Sequence, residues 1–482
     1  MGLGAAMEIG KAGLKIYQVA TEVISENIAN VNTPGYSRQR VILESAPPTT
    51  HNGFPLGTGV KIATVERYYD ALLQKQLVSA GTNLGYDSKK LNVLKQIEPV
   101  FNEVALDGLG ASITNFFDSW QDLTTNPSGT AERQVVLSKA QIMIDQFRYI
   151  DRTLKDAIAA QEESVVPVVN DINRMVEDIA KWNNQIYTTE LVYGNANEMR
   201  DQRDYLIRQL AEQIGVKFTE NSDGTTDVYM TDNSVGPPAV DYYLVKGAQY
   251  GSLNAAGTPA VVTATDYLGN TSSALDPTSA NPFYTSDTSG GALWATLKMR
   301  DVTINNYLGY VNELANQLVT EVNTQHQAGF DLRNPQQTGV DFFVGTGTDA
   351  GSIALNLSSP DQIAAADTAA APGNNVNALK LAQLANKSIT FTVGTSTFNG
   401  TFSTFYGSLV AQVGLDVQSA QTVVTQDAAF LKQLNTLRES SSGVSLDEEL
   451  ASLIQYQRAY QASAKLITTV GEMLDTLMNM VR

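Results

Sequence analysis

The chain holds few side chains able to do chemistry. Its 482 residues include two histidines, His51 and His326, and no cysteine. Without thiols there can be no disulfides, thiolate zinc sites or cysteine nucleophiles. His51 is followed by Asn-Gly-Phe-Pro and His326 by Gln-Ala-Gly-Phe, so neither opens a His-Glu-x-x-His zinc helix. Gly345-Thr346-Gly347, after Phe342-Phe343-Val344, has the outline of a phosphate loop but lacks the third glycine and a following helix. Asp223 and Asp227 do not have the spacing of a calcium loop and read as a solvated hairpin. A hydrolase would need a carboxylate- or serine-based site in the Gly/Thr-rich intervals, and no such constellation is found. The expectation is no catalytic residues, no cofactor and no metal.

Charge narrows the field further. With 32 bases against 50 acids the formal charge is −18. A basic face is what neutralises phosphates, so nucleic acid is not an expected partner, and anionic membrane surfaces repel the chain. No stretch reaches the roughly 18 apolar residues of a membrane helix. The start, with its first base at Lys11, lacks the pattern of an ordinary secretory signal. Taken alone, that pattern reads as cytoplasmic; export without a cleaved signal would look the same.

What remains is an architecture of helices. Ile9, Ile16 and Val23 recur every seven residues in a helix that ends in Asn27-Ile28-Ala29-Asn30-Val31-Asn32. Thr33-Pro34-Gly35-Tyr36 spells a type II turn, with Pro presetting φ and Gly accepting the left-handed position. Residues 39–44 and 60–65 read as short strands. Helical periodicity returns from Asp70 to Pro99, and again with Ile113, Phe116, Phe117, Trp120 and Leu123. It then runs from about Ala131 to Thr189, where Pro167 predicts a kink or a boundary. One more helix is expected to close at Gly215 as its C′ residue. Residues 216–294 turn acidic and rich in Gly, Thr, Ser and Tyr, with Ser222-Asp223-Gly224 as a hairpin turn. After helix over 304–322, a second Gly/Thr/Ala-rich interval covers 329–404.

The last helix has the clearest signal. Ser445-Leu446-Asp447-Glu448 forms a capping-box pattern. Leu446, Leu453, Tyr460, Ile467, Leu474 and Val481 then repeat every seven residues, with Leu450, Gln457, Ala464, Gly471 and Met478 as the column four residues on. One narrow stripe does not offset the cost of ordering a whole helix, so both terminal helices are expected to depend on partners. The predicted fold is α+β and multidomain: a long-helix bundle built from N- and C-terminal segments, with inserted β-rich outer domains. The expected division is 1–67 plus 445–482 as terminal assembly region, 68–215 plus 292–328 plus 405–444 as helical bundle, and 216–291 plus 329–404 as β-rich outer part.

Residues Asn27-Ile28-Ala29-Asn30-Val31-Asn32-Thr33-Pro34-Gly35-Tyr36-Ser37-Arg38-Gln39 closely resemble the N-terminal signature of bacterial flagellar axial proteins. The Asn-Thr-Pro-Gly-Tyr-Ser-Arg-Gln form is most similar to the hook-associated protein 1 (FlgK) family. Gly443–Glu449 and Tyr456-Gln457-Arg458-Ala459-Tyr460-Gln461-Ala462-Ser463-Ala464-Lys465 resemble that family's C-terminal signature. Phe116-Phe117, Asn126-Pro127, Arg133 and Asp201-Gln202-Arg203-Asp204 add to it. The resemblance implies a structural protein of the hook–filament junction, exported through the flagellar type III channel. Its terminal helices would pack in the inner tube, with Ile9, Ile16, Val23, Leu446, Leu450, Leu453, Tyr460, Ile467, Leu474, Met478 and Val481 as packing residues. Implied partners are sister copies in a ring, the hook protein, the adjacent junction protein on the filament side, and an export chaperone on the C-terminal region. A hook or rod subunit is the alternative within that class, and a secreted adhesin or hydrolase a more distant one.

Overall fold

The structure is a computed structural model and describes residues 2–51, 54–102, 108–236, 238–280, 282–284, 286–345 and 349–480. The side chain of His51, residues Thr346 and Gly347, and Val481 lie outside the described residues.

The two ends of the chain meet. Helix α1 (Leu3–Ala29) lies against the last helix, α10 (Leu446–Met480), and against an antiparallel arm of β1 (Gln39–Ser45) and β4 (Val60–Arg67). Between them a short hairpin pairs β2 (Thr49–His51) with β3 (Phe54–Leu56). Close approach of the helices rests on two glycines. An added Cβ at Gly10 would stand 2.7 Å from Ile467 Cγ1, and at Gly13 2.9 Å from Ser463 Oγ.

The helical body begins with α2 (Ala71–Ile97), whose first turn is capped by Asp70 accepting from the Leu72 and Leu73 N–H groups at 2.9 and 3.0 Å. Helices α3 (Leu109–Leu123), α4 (Thr130–Tyr193) and α5 (Asn197–Gln213) follow. Beyond them, β5 (Lys217–Glu220), β6 (Thr226–Asp232), β7 (Val240–Lys246) and β8 (Gln249–Tyr250) form one antiparallel sheet in chain order. A second sheet orders β11 (Thr271–Ala274), β10 (Val261–Thr265) and β9 (Ser252–Ala256). Helices α6 (Gly291–Lys298) and α7 (Ile304–Gln327) are joined by a π-type turn. Helix α8 (Val376–Gln383), the hairpin β12 (Ile389–Val393)–β13 (Ser396–Gly400) and the long α9 (Phe402–Ser442) complete the body.

Two apolar cores are threaded on α4. Its first half, from Val136 to Leu154, packs with α3, α7 and α9 around Phe116, Trp120 and Phe147. Its second half, from Val165 to Ile186, packs with α5, α6 and the two sheets around Val228, Val262 and Trp294. The α+β multidomain class is thus what the chain adopts.

Three local expectations change. Helix α4 is continuous through Pro167, so no helix boundary falls there; buried residues on both sides, Val165 and Val169, hold it in place where one backbone bond is lost. Gly215 is no left-handed helix cap. It is there for space, since a Cβ would lie 1.8 Å from the Ser289 carbonyl oxygen. The interval 329–404, read as part of a β-rich outer domain, contains among the described residues one hairpin, one short α-helix, two 3-10 turns and long loops, and Phe342, Phe343, Ile363 and Phe391 sit in the core of the helical body. Gly329 and Gly351 there serve close packing, since a Cβ would lie 2.2 Å from Asn377 Nδ2 and 2.4 Å from Asp151 Oδ2. Both terminal helices also find a partner inside the chain, namely each other, although α10 is covered on one side only.

Candidate functional site

The turn after α1 forms as its residues dictate. Thr33 donates to the Asn30 carbonyl at 2.9 Å and Tyr36 to the Thr33 carbonyl at 3.2 Å, with Gly35 at φ +86°. A side chain at Gly35 would also crowd Tyr205, at 3.1 Å. Asn32, Thr33 and Pro34 are exposed, whereas Asn27, Tyr36, Ser37 and Gln39 are buried. Asn30 caps the helix end through its side chain, donating to the Glu26 carbonyl at 3.1 Å.

Around Asn27 the chain's ends are tied together. Asn27 Nδ2 donates to the Gln39 carbonyl at 2.9 Å and to Glu449 Oε2 at 3.0 Å, while its Oδ1 accepts from Tyr36 Oη and the Gln39 N–H, both at 2.9 Å. Of the four hydrogen bonds of this buried amide, two join α1 to the arm, one joins it to the turn and one to α10. Arg38 completes the clasp: its Nη1 reaches Glu448 Oε2 at 2.7 Å and its Nε reaches Glu449 Oε1 at 2.6 Å. Arg438 of α9 donates to the Gly35 and Tyr36 carbonyls at 2.7 and 2.9 Å.

A buried charge cluster fixes this clasp to the body. Arg67, at the end of β4, spans Asp201 Oδ1 at 2.7 Å and Asp204 Oδ2 at 2.8 Å, with all three side chains at least nine-tenths buried. Asp201 Oδ2 in turn accepts from the Ser37 N–H at 2.7 Å. Asp204 Oδ1 takes Arg203, which also donates to the Gly224 carbonyl at 2.6 Å. Burial pushes the Asp201 carboxyl up against the pull of Arg67. Asp204, also buried, is nonetheless held below the usual carboxylate range by the guanidiniums of Arg67 and Arg203. Asn197 bridges from α5 to Gln39 Oε1 and the Val65 carbonyl, both at 3.0 Å.

One group here answers to pH near neutrality. The Glu26 carboxyl, hydrogen-bonded to Glu198, partly buried and close to its charge, is pushed up from 4.5 to about 7. A carboxyl raised on folding contributes stability that is fully present below 4.5 and lost as pH rises through 7. The urea midpoint of the native chain should therefore fall between pH 5 and pH 8 more than that of Glu26→Gln; equal slopes would refute the assignment.

Helix α10 has two faces. Against α1 lie Glu449, Tyr456, Ser463 and Val470, with Leu453, Ile467 and Leu474 half-buried beside them. The Tyr17 and Tyr456 rings stand 6.1 Å apart. The column meeting α1 is thus three residues after the main heptad column, not four; spacing alone treats both flanks alike. Leu450 is 49% and Met478 70% exposed. Leu446 and Tyr460 are exposed too, as are Gln457, Arg458 and Gln461. On α1, Ile16 and Val23 are buried and Ile9 touches the arm near Gly59. The C-terminal signature residues consequently do not join the clasp, apart from Glu448 and Glu449.

Away from the clasp, Arg133 is a buried brace, donating to the Pro127 carbonyl at 2.8 Å and the Ile363 carbonyl at 2.5 Å. His326 is another: its ring meets the Val340 carbonyl at 2.7 Å and accepts from the Ala364 N–H at 2.9 Å, and burial pushes it down to about 4. Arg67, Asn197 and Arg438 were not singled out from sequence. Each is a lone polar residue whose partners lie far along the chain, so no local spacing marks it.

Comparison with known proteins agrees with this geometry. Residues 94–343, just over half of the chain, match the family described as flagellar hook-associated protein FlgK helical domain. Residues 7–36 match the flagella basal body rod protein family, and 438–480 the flagellar basal body rod FlgEFG protein C-terminal family. Flagellar hook-associated protein 1 of Bacillus subtilis is 29% identical over 98% of this chain and 97% of its own length. The Escherichia coli protein of the same name is 25% identical over 97% and 98%. The fold is similar to that of the flagellar hook junction protein FlgK from Burkholderia pseudomallei, with a TM-score of 0.63 over 76% of this chain and all of that one at 16% identity. The chain belongs to the flagellar hook-associated protein FlgK family, whose members are structural proteins of the bacterial flagellum.

Proposed function

We propose that this chain is a structural adaptor of the hook–filament junction, non-enzymatic and extracellular, seated there by its paired terminal helices. One observation carries this: nine large apolar side chains of α10 are exposed, from Leu446 and Leu450 through Ile454, Tyr460 and Met473 to Met480, while α1 leaves none exposed among the described residues. Exposed apolar side chains along a helix call for helical neighbours, and sister copies in a ring supply them. Residues 1–67 and 445–482 form the assembling base, with Ile9, Ile16, Val23, Leu453, Ile467 and Leu474 closing the pair within a copy and Leu446, Leu450, Tyr460 and Met478 facing neighbours. The hook protein lies on one side and the adjacent junction protein on the filament side. Export through the flagellar type III channel, with a chaperone covering the C-terminal stripe before assembly, fits a stripe that water disfavours.

Deleting residues 446–482 tests the proposal. The body should still unfold cooperatively, because both of its cores lie outside the deleted segment, but attachment to hook ends should be lost; retained attachment would refute the role of α10. The rod-family matches at both ends favour one second reading, a hook or rod subunit. Electron microscopy separates the two. A junction protein adds a thin zone to hook ends and stops, whereas a hook or rod subunit extends into a tube.

A further inference from the structure

The two apolar cores share no residue, and the helices that pass from one to the other change character where they cross. Helix α4 leaves the first core after Leu154 and enters the second at Val165, with Ala157 and Ile158 half-buried between. Helix α2 leaves the second core after Tyr86 and enters the first at Leu91, and the α6–α7 pair crosses between Leu297 and Met299. On α4 the crossing holds Gln161, which is 4% exposed and whose Oε1 has no hydrogen-bond partner among the described residues. Just beyond it, Pro167 has no N–H to give the Glu163 carbonyl. Between α6 and α7 the ladder is interrupted by the π-type turn Met299–Thr303. On α2 the crossing holds Asp87, buried with its carboxyl against that of Asp427 of α9. A polar belt with two irregular helices thus separates two close-packed lobes.

One link in this belt is well made. Arg300, in the π-type turn, donates from Nη1 to Glu162 Oε2 at 2.5 Å and to the Ala260 carbonyl at 3.0 Å. Glu162 Oε1 accepts from the Ala260 N–H at 2.7 Å, so α4, the turn and the residues before β10 meet at one point. Helices change direction sharply at prolines, π-bulges and interrupted ladders, and segments with few buried apolar contacts open locally first. A bend inside either core would open close-packed side chains, whereas a bend at the belt strains a few backbone bonds around a fixed ion pair. We propose that this belt is a bending joint, at which the lobe around Trp120 and the lobe around Trp294 tilt relative to each other with Arg300 and Glu162 as the pivot. The property belongs to the single chain and is independent of the junction role.

The chain has no cysteine, so spin labels can be placed in chosen pairs on the full-length protein. Asp118→Cys with Val261→Cys spans the joint, and Asp118→Cys with Tyr149→Cys stays within the first lobe; all three side chains are exposed. Pulsed electron resonance should give a distance distribution roughly twice as broad for the spanning pair as for the internal one. The double variant Gln161→Met/Pro167→Ala removes the unmet acceptor and restores the missing donor. It should narrow the spanning distribution and leave the internal one unchanged. If that variant does not fold, hydrogen exchange of the native chain decides: amides of 299–303 should exchange at least about tenfold faster than those of 143–154 and 172–186. Equal widths for the two pairs, a folded double variant with an unchanged spanning width, or uniform protection across the belt and both cores would each overturn the joint.

Discussion

Replacing Arg67 with alanine is expected to cost about 3–5 kcal/mol of unfolding free energy, the range seen when one member of a buried charge pair is removed. Among the described residues Arg67 is the one cation within ion-pair distance of both Asp201 and Asp204, and its guanidinium also lies over the Tyr69 ring at 4.2 Å. Its loss leaves Asp201 buried with only Ser37, through its N–H and its side chain, among its described hydrogen-bond partners, while Asp204 keeps Arg203. The effect should be uneven in space. Hydrogen exchange should accelerate over residues 27–39 and 445–452, which depend on the cluster for their seat, more than over the core around Trp120. Arg67→Lys, able to reach one carboxylate well but not two in fixed geometry, should fall between. A loss below about 1 kcal/mol in denaturant titration would mean the cluster does not position the clasp.

The second large effect is expected from Leu453→Pro. Proline in a helix interior removes one hydrogen bond and drives its ring against the carbonyl four residues earlier, costing about 3 kcal/mol or more. Here that residue is Glu449, which is 1% exposed and held by Asn27 and Arg38. The substitution therefore strikes the helix and the clasp together. Far-ultraviolet circular dichroism should show lost helix, fluorescence of the buried Trp120 and Trp294 should change little, and attachment to hook ends should disappear. Leu453→Ala, which shortens one half-buried side chain and leaves the backbone intact, should retain attachment. Unchanged attachment in the proline variant would count against any role for α10 in seating the molecule.

Much of this was legible because local chemistry decides it. The Thr33–Tyr36 turn follows from Pro34 and Gly35, and the hairpin between β5 and β6 from Ser222-Asp223-Gly224, where Gly224 has φ +83° and Asp223 accepts from the Thr225 N–H. Heptad spacing exposed both terminal helices as a pair of stripes. It could not say which flank of α10 meets α1, since columns three and four residues away are equivalent until the small residues Gly10 and Gly13 settle the fit. The clasp was half visible: Asn27 to Gln39 and Asp201 to Asp204 stood out by resemblance, yet nothing local ties Arg67 to Asp201, 134 residues away. Composition misled over 329–404 for a related reason. Glycine and alanine look alike in a loose β insert and in a tightly folded loop, and only burial of Phe342, Phe343 and Phe391 tells them apart.

The hydrogen bond between Asn27 and Glu449 joins residues 422 positions apart. During synthesis on a ribosome, the first helix can therefore pack against its arm early but must wait for its second partner until Leu446–Met480 have been made. Any prematurely terminated product that stops before Leu446 carries a finished middle and an open foot. Such a product would keep both apolar cores and lack the pairing of α1 with α10.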